Sequence, residues 1–174
     1  MVRCQIARAV PLFARASDEG QVRYAHDPME IPFTSSDIWL FVSIGLAEAN
    51  LPADLANVLF AGDAINKAVF TSSELRRGLS KLTQAGFVVH SEGVFSLTKE
   101  GRAIFANASK RRRDWMTLRK NLEKQLGATH GPSDHPGFED PQFPYPQLTD
   151  ELIVAADREY RRRFNQILAK LDSG

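Results

Sequence analysis

The sequence predicts a mainly α-helical domain carrying one small β-hairpin, with further helices before and after it. Three features within residues 71–98, TSSELRRGLSKLTQAGFVVHSEGVFSLT, lead to this fold class. Thr71-Ser72-Ser73-Glu74 has the form of a capping box, in which the Glu74 N–H donates to the Thr71 hydroxyl and the Thr71 N–H donates to the Glu74 carboxylate. Leu75, Leu79 and Leu82 then recur at helical spacing up to Gly86, a residue suited to a left-handed stop. Two short strand-like runs follow, Phe87-Val88-Val89 and Val94-Phe95-Ser96-Leu97. His90-Ser91-Glu92-Gly93 connects them, with Gly93 free to take a positive φ.

Thr98 opens another helix, in the run Leu97-Thr98-Lys99-Glu100-Gly101. Helix, glycine stop, two-stranded ribbon and a Leu-Thr-x-x-Gly restart: this succession resembles the winged helix-turn-helix regulators of the MarR and PadR kind, over about residues 34–108. The resemblance implies a winged helix-turn-helix core plus additional N- and C-terminal helices. It implies a transcriptional regulator that binds double-stranded DNA as a homodimer, with helix 72–85 as the reader. The helix after the wing and the last helix would form the dimer face.

The remaining elements can be taken in order. Residues 1–33 have no clean period and contain Pro11, Pro28 and Pro32. They read as a weakly ordered arm, either loosely attached or swapped onto a partner subunit, with at most a turn or two of helix over residues 6–16. Met29 is a candidate start, and residues before it are expected to be dispensable. Thr34-Ser35-Ser36-Asp37 caps the first sure helix of the domain at 34–109, and Ile38, Leu40, Phe41, Ile44 and Leu46 make it apolar nearly all round. It ends at Asn50 or at Leu51-Pro52. Residues 54–69 form the second helix, with Leu55, Val58, Leu59, Ala61, Ile65 and Val69 inward. Gly62 marks either a break or a close contact, and Phe70 is placed to staple onto Leu75.

Lys99 onward is helical again. Ile104, Phe105, Ala108, Trp115, Leu118 and Leu122 fall at three- and four-residue steps, so one unbroken helix over 98–126, about 44 Å long, is expected. Its basic segment is 110–126. Residues 127–147 are dense in Gly and Pro and read as a loop. The last helix, 148–171 within the segment 148–174, has Thr149 as N-cap. Its stripe is Leu152, Ala156, Tyr160, Phe164, Ile167, Leu168 and Leu171.

With Leu75, Leu79 and Leu82 inward, the third helix turns Ser72, Ser73, Arg76, Arg77, Ser80, Lys81 and Gln84 outward. Arginine is the side chain that reads guanine or holds phosphate, and serines at a helix N-terminus suit phosphate oxygens. Arg111, Arg112 and Arg113 add a basic run, read either as a second phosphate-contacting patch or as a solvated face. Residues 110–126 hold seven basic and two acidic side chains, and residues 34–109 hold six basic and seven acidic, so the net charge of +1 hides a strong asymmetry. The wing has no Arg or Lys, and Glu92 at its tip would repel phosphate. These last points favour an alternative: a winged helix used only for protein–protein contact, with the basic run meeting an acidic partner.

Other chemistry is not expected. There is no glycine-rich phosphate loop, nucleophile elbow, zinc spacing or dinucleotide fingerprint, so neither enzyme activity nor a cofactor is predicted. His130, Asp134 and His135 lack a supporting ligand, so no metal site is predicted. His90 alone reads as a solvated strand-end residue. One cysteine, Cys4, allows no internal disulfide, no run of ~18 apolar residues could span a membrane, and arginines interrupt the start as a signal peptide. A cytoplasmic protein is the expectation.

Overall fold

The computed structural model describes residues 32–110, 114–128 and 144–172, all within one compact unit, Ile31–Gly174. The expectations placed on residues 1–31, on Arg111, Arg112 and Arg113, and on His130, Asp134 and His135 fall outside the described residues. Six helices and one hairpin are described: α1 (Ser35–Asn50), α2 (Leu55–Asn66), α3 (Ser72–Gln84), β1 (Val88–Ser91), β2 (Val94–Leu97), α4 (Lys99–Ser109), α5 (Trp115–Leu126) and α6 (Asp150–Asp172). The fold is mainly helical with one small antiparallel hairpin, in the element order of a winged helix.

Local chemistry sets most element ends. Thr34 and Thr71 each form the reciprocal capping box, with Asp37 and Glu74 as the returning carboxylates. Asp54 caps α2, Thr98 caps α4, and the Leu152 N–H donates to Thr149 Oγ1 at the start of α6. Leu51, which precedes Pro52, is extended as that position demands, and α1 stops there. Beyond α3, the Phe87 N–H donates to Leu82 O and the Gly86 N–H to Thr83 O. This is the paired closure of a helix whose next residue, Gly86, is left-handed.

The hairpin is tighter than expected. His90 and Ser91 belong to β1, and the turn is the two residues Glu92-Gly93, both with positive φ. Phe95 N–H donates to Ala53 O, and Asp54 bridges Val94, so the link between α1 and α2 serves as a short third strand beside the wing. The Leu97-Thr98-x-x-Gly101 restart has a steric cause. Thr98 donates through its hydroxyl to Gly86 O and through its N–H to Phe87 O, which brings α4 onto the backbone of the α3–β1 link. A Cβ at position 101 would collide with Phe87 O.

The core lies around α1, whose Ile38, Leu40, Phe41, Val42 and Ile44 are fully buried. It packs against α2, α3, α5 and β2. Trp39 stacks on Phe70 at 3.6 Å between ring centroids and donates from Nε1 to Gly62 O at 3.1 Å. The ring of Phe70 leaves no room for a side chain at Gly62, so that glycine marks a close contact inside an unbroken α2. Phe33 is buried as well, so the folded unit begins slightly before the expected boundary at Thr34.

Two expectations about helices need correction. The helix after the wing is not continuous: α4 ends at Ser109, and α5 starts afresh with Asp114, in an extended conformation, capping the Thr117 N–H at 2.9 Å. The break lets α5 fold back onto α4 and α1, burying Leu118 and Leu122 instead of projecting from the domain. In α2 the helix ends at Asn66 with Lys67 left-handed, so Val69 is exposed rather than on the inner stripe. Among the described residues no helix is long and apolar enough to cross a membrane.

Candidate functional site

The outer face expected of α3 is mostly an inner face. Arg77 and Lys81 are each 1% exposed, and they flank Asp37, which is 0% exposed. Lys81 Nζ lies 3.1 Å from Asp37 Oδ2 and also donates to Pro32 O at 2.7 Å, while Arg77 Nε lies 3.6 Å from Asp37 Oδ1 and its Nη2 donates to Ser36 Oγ at 2.7 Å. The cause is Gly78. At the crossing of α1 and α3 a Cβ there would stand 2.7 Å from Leu40 Cδ2, so the missing side chain lets the N-terminus of α1 settle onto α3. Asp37 thus closes the capping box of α1 and also balances two cations of α3.

Ser73 and Ser80 are buried too, so neither faces solvent as expected. Ser73 shares a hydrogen bond with Thr71 Oγ1, and Ser80 Oγ accepts from Gln84 Nε2 at 2.9 Å. Ser72 and Arg76 are half-buried and Gln84 is exposed. Arg76 is held from outside the helix. Its Nε donates to Leu148 O at 3.0 Å and its Nη2 meets Asp150 Oδ1 at 2.6 Å. The segment 144–150 therefore runs along the outer side of α3, pinned by buried Tyr145 and Leu148. Of the nine residues expected to contact DNA, four are buried, one is tied to the start of α6, Ser72 remains half-exposed, and Arg111, Arg112 and Arg113 lie outside the described residues.

Segment 144–147, the C-terminal half of α3 and the turn-side end of β1 line an open cleft of about 300 Å³. Its polar groups come from Ser80, Thr83, Gln84 and Gln147, and its walls from His90, Tyr145 and the flanking prolines. His90 is not the solvated residue expected. Its ring lies flat on its cross-strand partner Phe95, 4.4 Å away at 17°, and 6.1 Å from the Tyr145 ring. Burial lowers the His90 pKa below its ordinary value and raises that of Tyr145, whose hydroxyl meets Thr83.

The second surface belongs to α6, which runs antiparallel along α2. Tyr160 Oη donates to Asp63 Oδ2 at 2.8 Å, and Arg163 Nη2 lies 3.2 Å from Asp54 Oδ2, at the N-cap of α2. Burial, together with the hydrogen bond to Asp63, pushes the Tyr160 pKa up to about 12. The arginine triplet is internally paired, Arg161 with Asp157 and both Arg162 and Arg163 with Glu159, whose pKa those bonds hold down to about 2. Beyond Arg163 the helix outruns α2. Phe164, Ile167, Leu168 and Leu171 continue the line of Ile153, Ala156 and Tyr160, yet all four are exposed, Leu171 to 72%. The expected stripe is therefore real at helical spacing but buried only in its first half. Leu152, at its start, points outward, and Ile153 takes the inner place. Within the chain, α5 packs on α1 and α4, and α6 packs on α2.

No protein-family model, curated protein or solved structure matches the chain. The class that fold and surfaces define is a winged-helix-like domain with an added C-terminal helix, whose α3 is covered and whose α6 is partly bare.

Proposed function

We propose that this chain is a winged-helix protein-contact module that self-associates through the C-terminal half of α6. The observation carrying this reading is the bare stripe of Phe164, Ile167, Leu168 and Leu171, which runs roughly 13 Å past the end of α2 at 1.5 Å per residue. A helix that carries a core-type stripe over its whole length is built to be covered over its whole length. A second copy suits the stripe because the pattern is self-complementary. Antiparallel pairing about the midpoint between Ile167 and Leu168 sets Phe164 opposite Leu171, Asn165 opposite Lys170 and Gln166 opposite Ala169, so apolar residues meet apolar ones and no two like charges face each other across these pairs. Leu51, three residues before the α2 N-cap, is also exposed. The four side chains of the stripe fall short of the ~800 Å² that each partner of a standard interface buries, so the dimer should be weak, in the micromolar range. Sedimentation velocity from low to high micromolar concentration tests this. The parent should shift toward dimer, and the Ile167→Glu/Leu168→Glu variant should stay monomeric with an unchanged melting temperature. A parent that remains monomeric throughout removes the reading.

A DNA-binding regulator is the second reading, favoured by the winged-helix element order and by Ser72 and Arg76 at the N-terminal half of α3. It requires segment 144–150 to leave α3, because Arg76 is engaged by Leu148 and Asp150. Binding to random duplex DNA at two salt concentrations decides it. A DNA reader loses affinity steeply with salt through counterion release, and Arg76→Ala should weaken it further. Absence of salt-dependent binding excludes it.

A further inference from the structure

We infer that the cleft between α3, the turn-side end of β1 and segment 144–147 is a binding site for a small, uncharged, planar molecule that both donates and accepts hydrogen bonds, of the class of the aromatic carboxamides. The size is right for one ring with a polar substituent: about 300 Å³, at the small end of the ~300–1,000 Å³ of ligand pockets. Charge decides the class. Among the described residues no Asp, Glu, Lys or Arg lines the cleft. An ionised ligand would find no counter-charge among these side chains. His90 does not supply one, because its partial burial favours the neutral ring at neutral pH.

Shape and polarity narrow the class. The His90 ring is immobilised against Phe95, and Tyr145 is buried beside it, so two flat aromatic surfaces are fixed before anything binds. The prolines on either side of Tyr145 stiffen that wall. At the polar end, Gln84 donates from Nε2 to Ser80 Oγ, which orients its amide and leaves Oε1 as an acceptor. Because Ser80 Oγ accepts that bond, its own proton is available for donation. Thr83 Oγ1 spends its proton on Leu79 O. The cleft thus offers one oriented acceptor and one hydroxyl donor on α3, close in sequence, beside flat rings. A primary carboxamide on an aromatic ring satisfies both at once. The isosteric carboxylate cannot donate to Gln84 Oε1 and would place two acceptors there.

The test titrates ¹⁵N-labelled full chain with benzamide and nicotinamide, and separately with benzoate and nicotinate as isosteric charged controls. The Gln84 and Gln147 side-chain amides and the His90 imidazole are followed by NMR. The amides should shift these signals saturably, and the acids should bind at least ~10-fold more weakly. Gln84→Leu, at an exposed helix position, should keep the fold and lower amide affinity by at least ~10-fold through loss of the oriented acceptor. Unsaturable shifts with the amides, equal binding of acids and amides, or a Gln84→Leu variant that binds like the parent would each overturn the assignment.

Discussion

At the scale of single residues, Asp37 is the most consequential side chain described. It lies beneath two buried cations that arrive from forty and forty-four positions away, and it is also the return half of a helix cap. Breaking a buried ion pair by removing one partner is expensive, because the other charge stays buried. Asp37→Asn should therefore destabilise by roughly 3–5 kcal/mol, while Asp150→Ala, whose partner Arg76 is partly solvated, should cost under about 1 kcal/mol. Urea denaturation of the two variants checks the contrast. The local half of Asp37's role was readable in Thr34-Ser35-Ser36-Asp37, since a cap is a four-residue event. The other half was not. Leucine periodicity identifies one inner face of α3, but a helix placed between α1 and a strap has more than one, and only the third dimension brings Asp37 to Arg77 and Lys81. Gly78, a glycine among leucines, was the one sequence hint that another helix comes close. His90 shows the same limit. Its aromatic neighbours, Phe95 and Tyr145, are set by hairpin register and by a loop fifty-five residues away. Since its folded pKa is lowered, the unfolded chain binds the extra proton first. The stability tied to neutral His90 is present above the ordinary value near 6.5 and is lost as pH falls from there toward the lowered folded pKa. Melting temperatures should thus decline on acidification through this window, and less so for His90→Asn.

At the scale of elements, starts and stops were the legible part. The starts of α1, α3 and α4 were visible at Thr34, Thr71 and Thr98, Asp54 was read as the first residue of α2 rather than as its cap, and the stop at Gly86 was visible too. The turn between α4 and α5 was not, because Ala108, Trp115, Leu118 and Leu122 keep a helical step across it. Periodicity reports which residues face a core, and two helices folded back on the same core can share one phase. Asp114 was the cue, a capping residue inside an apparently continuous pattern. Asp114→Ala should cost ~1 kcal/mol, the usual worth of an N-cap. Loss of helicity on that substitution confined to α5, read by hydrogen exchange, would mark the break as capped locally. No such loss would mean that packing of Leu118 and Leu122 alone fixes where α5 begins.

At the scale of the whole molecule, α1 is the hub, and the last helix is attached by a narrower set of contacts. Leu79, 1% exposed between α3 and the core, should cost ~2–5 kcal/mol on truncation to alanine. The α2–α6 pair depends instead on Tyr160 and Arg163. With the Tyr160 pKa raised to about 12, stability from its hydrogen bond to Asp63 is complete below pH ~10, where the phenol is neutral even in the unfolded chain. It is lost as pH rises through about 12. Absorbance at the phenolate band should show a tyrosine titrating late, and Tyr160→Phe should remove that component.

The placement of the two indoles has an optical consequence. Trp39 is sealed in the core, stacked on Phe70 with its N–H spent on Gly62 O, whereas Trp115 sits half-exposed at the first turn of α5 with the Arg119 guanidinium 5.8 Å from its ring. One fluorophore therefore emits from an apolar interior and the other from a wet, cationic boundary. Iodide, drawn toward Arg119, should quench Trp115 and leave Trp39 bright, so a Stern–Volmer plot should bend downward. The residual blue emission then reports on the α1–α2 core alone, and the quenched red component reports on whether α5 is seated. A single label-free measurement can thus follow the inner and outer layers of the protein separately.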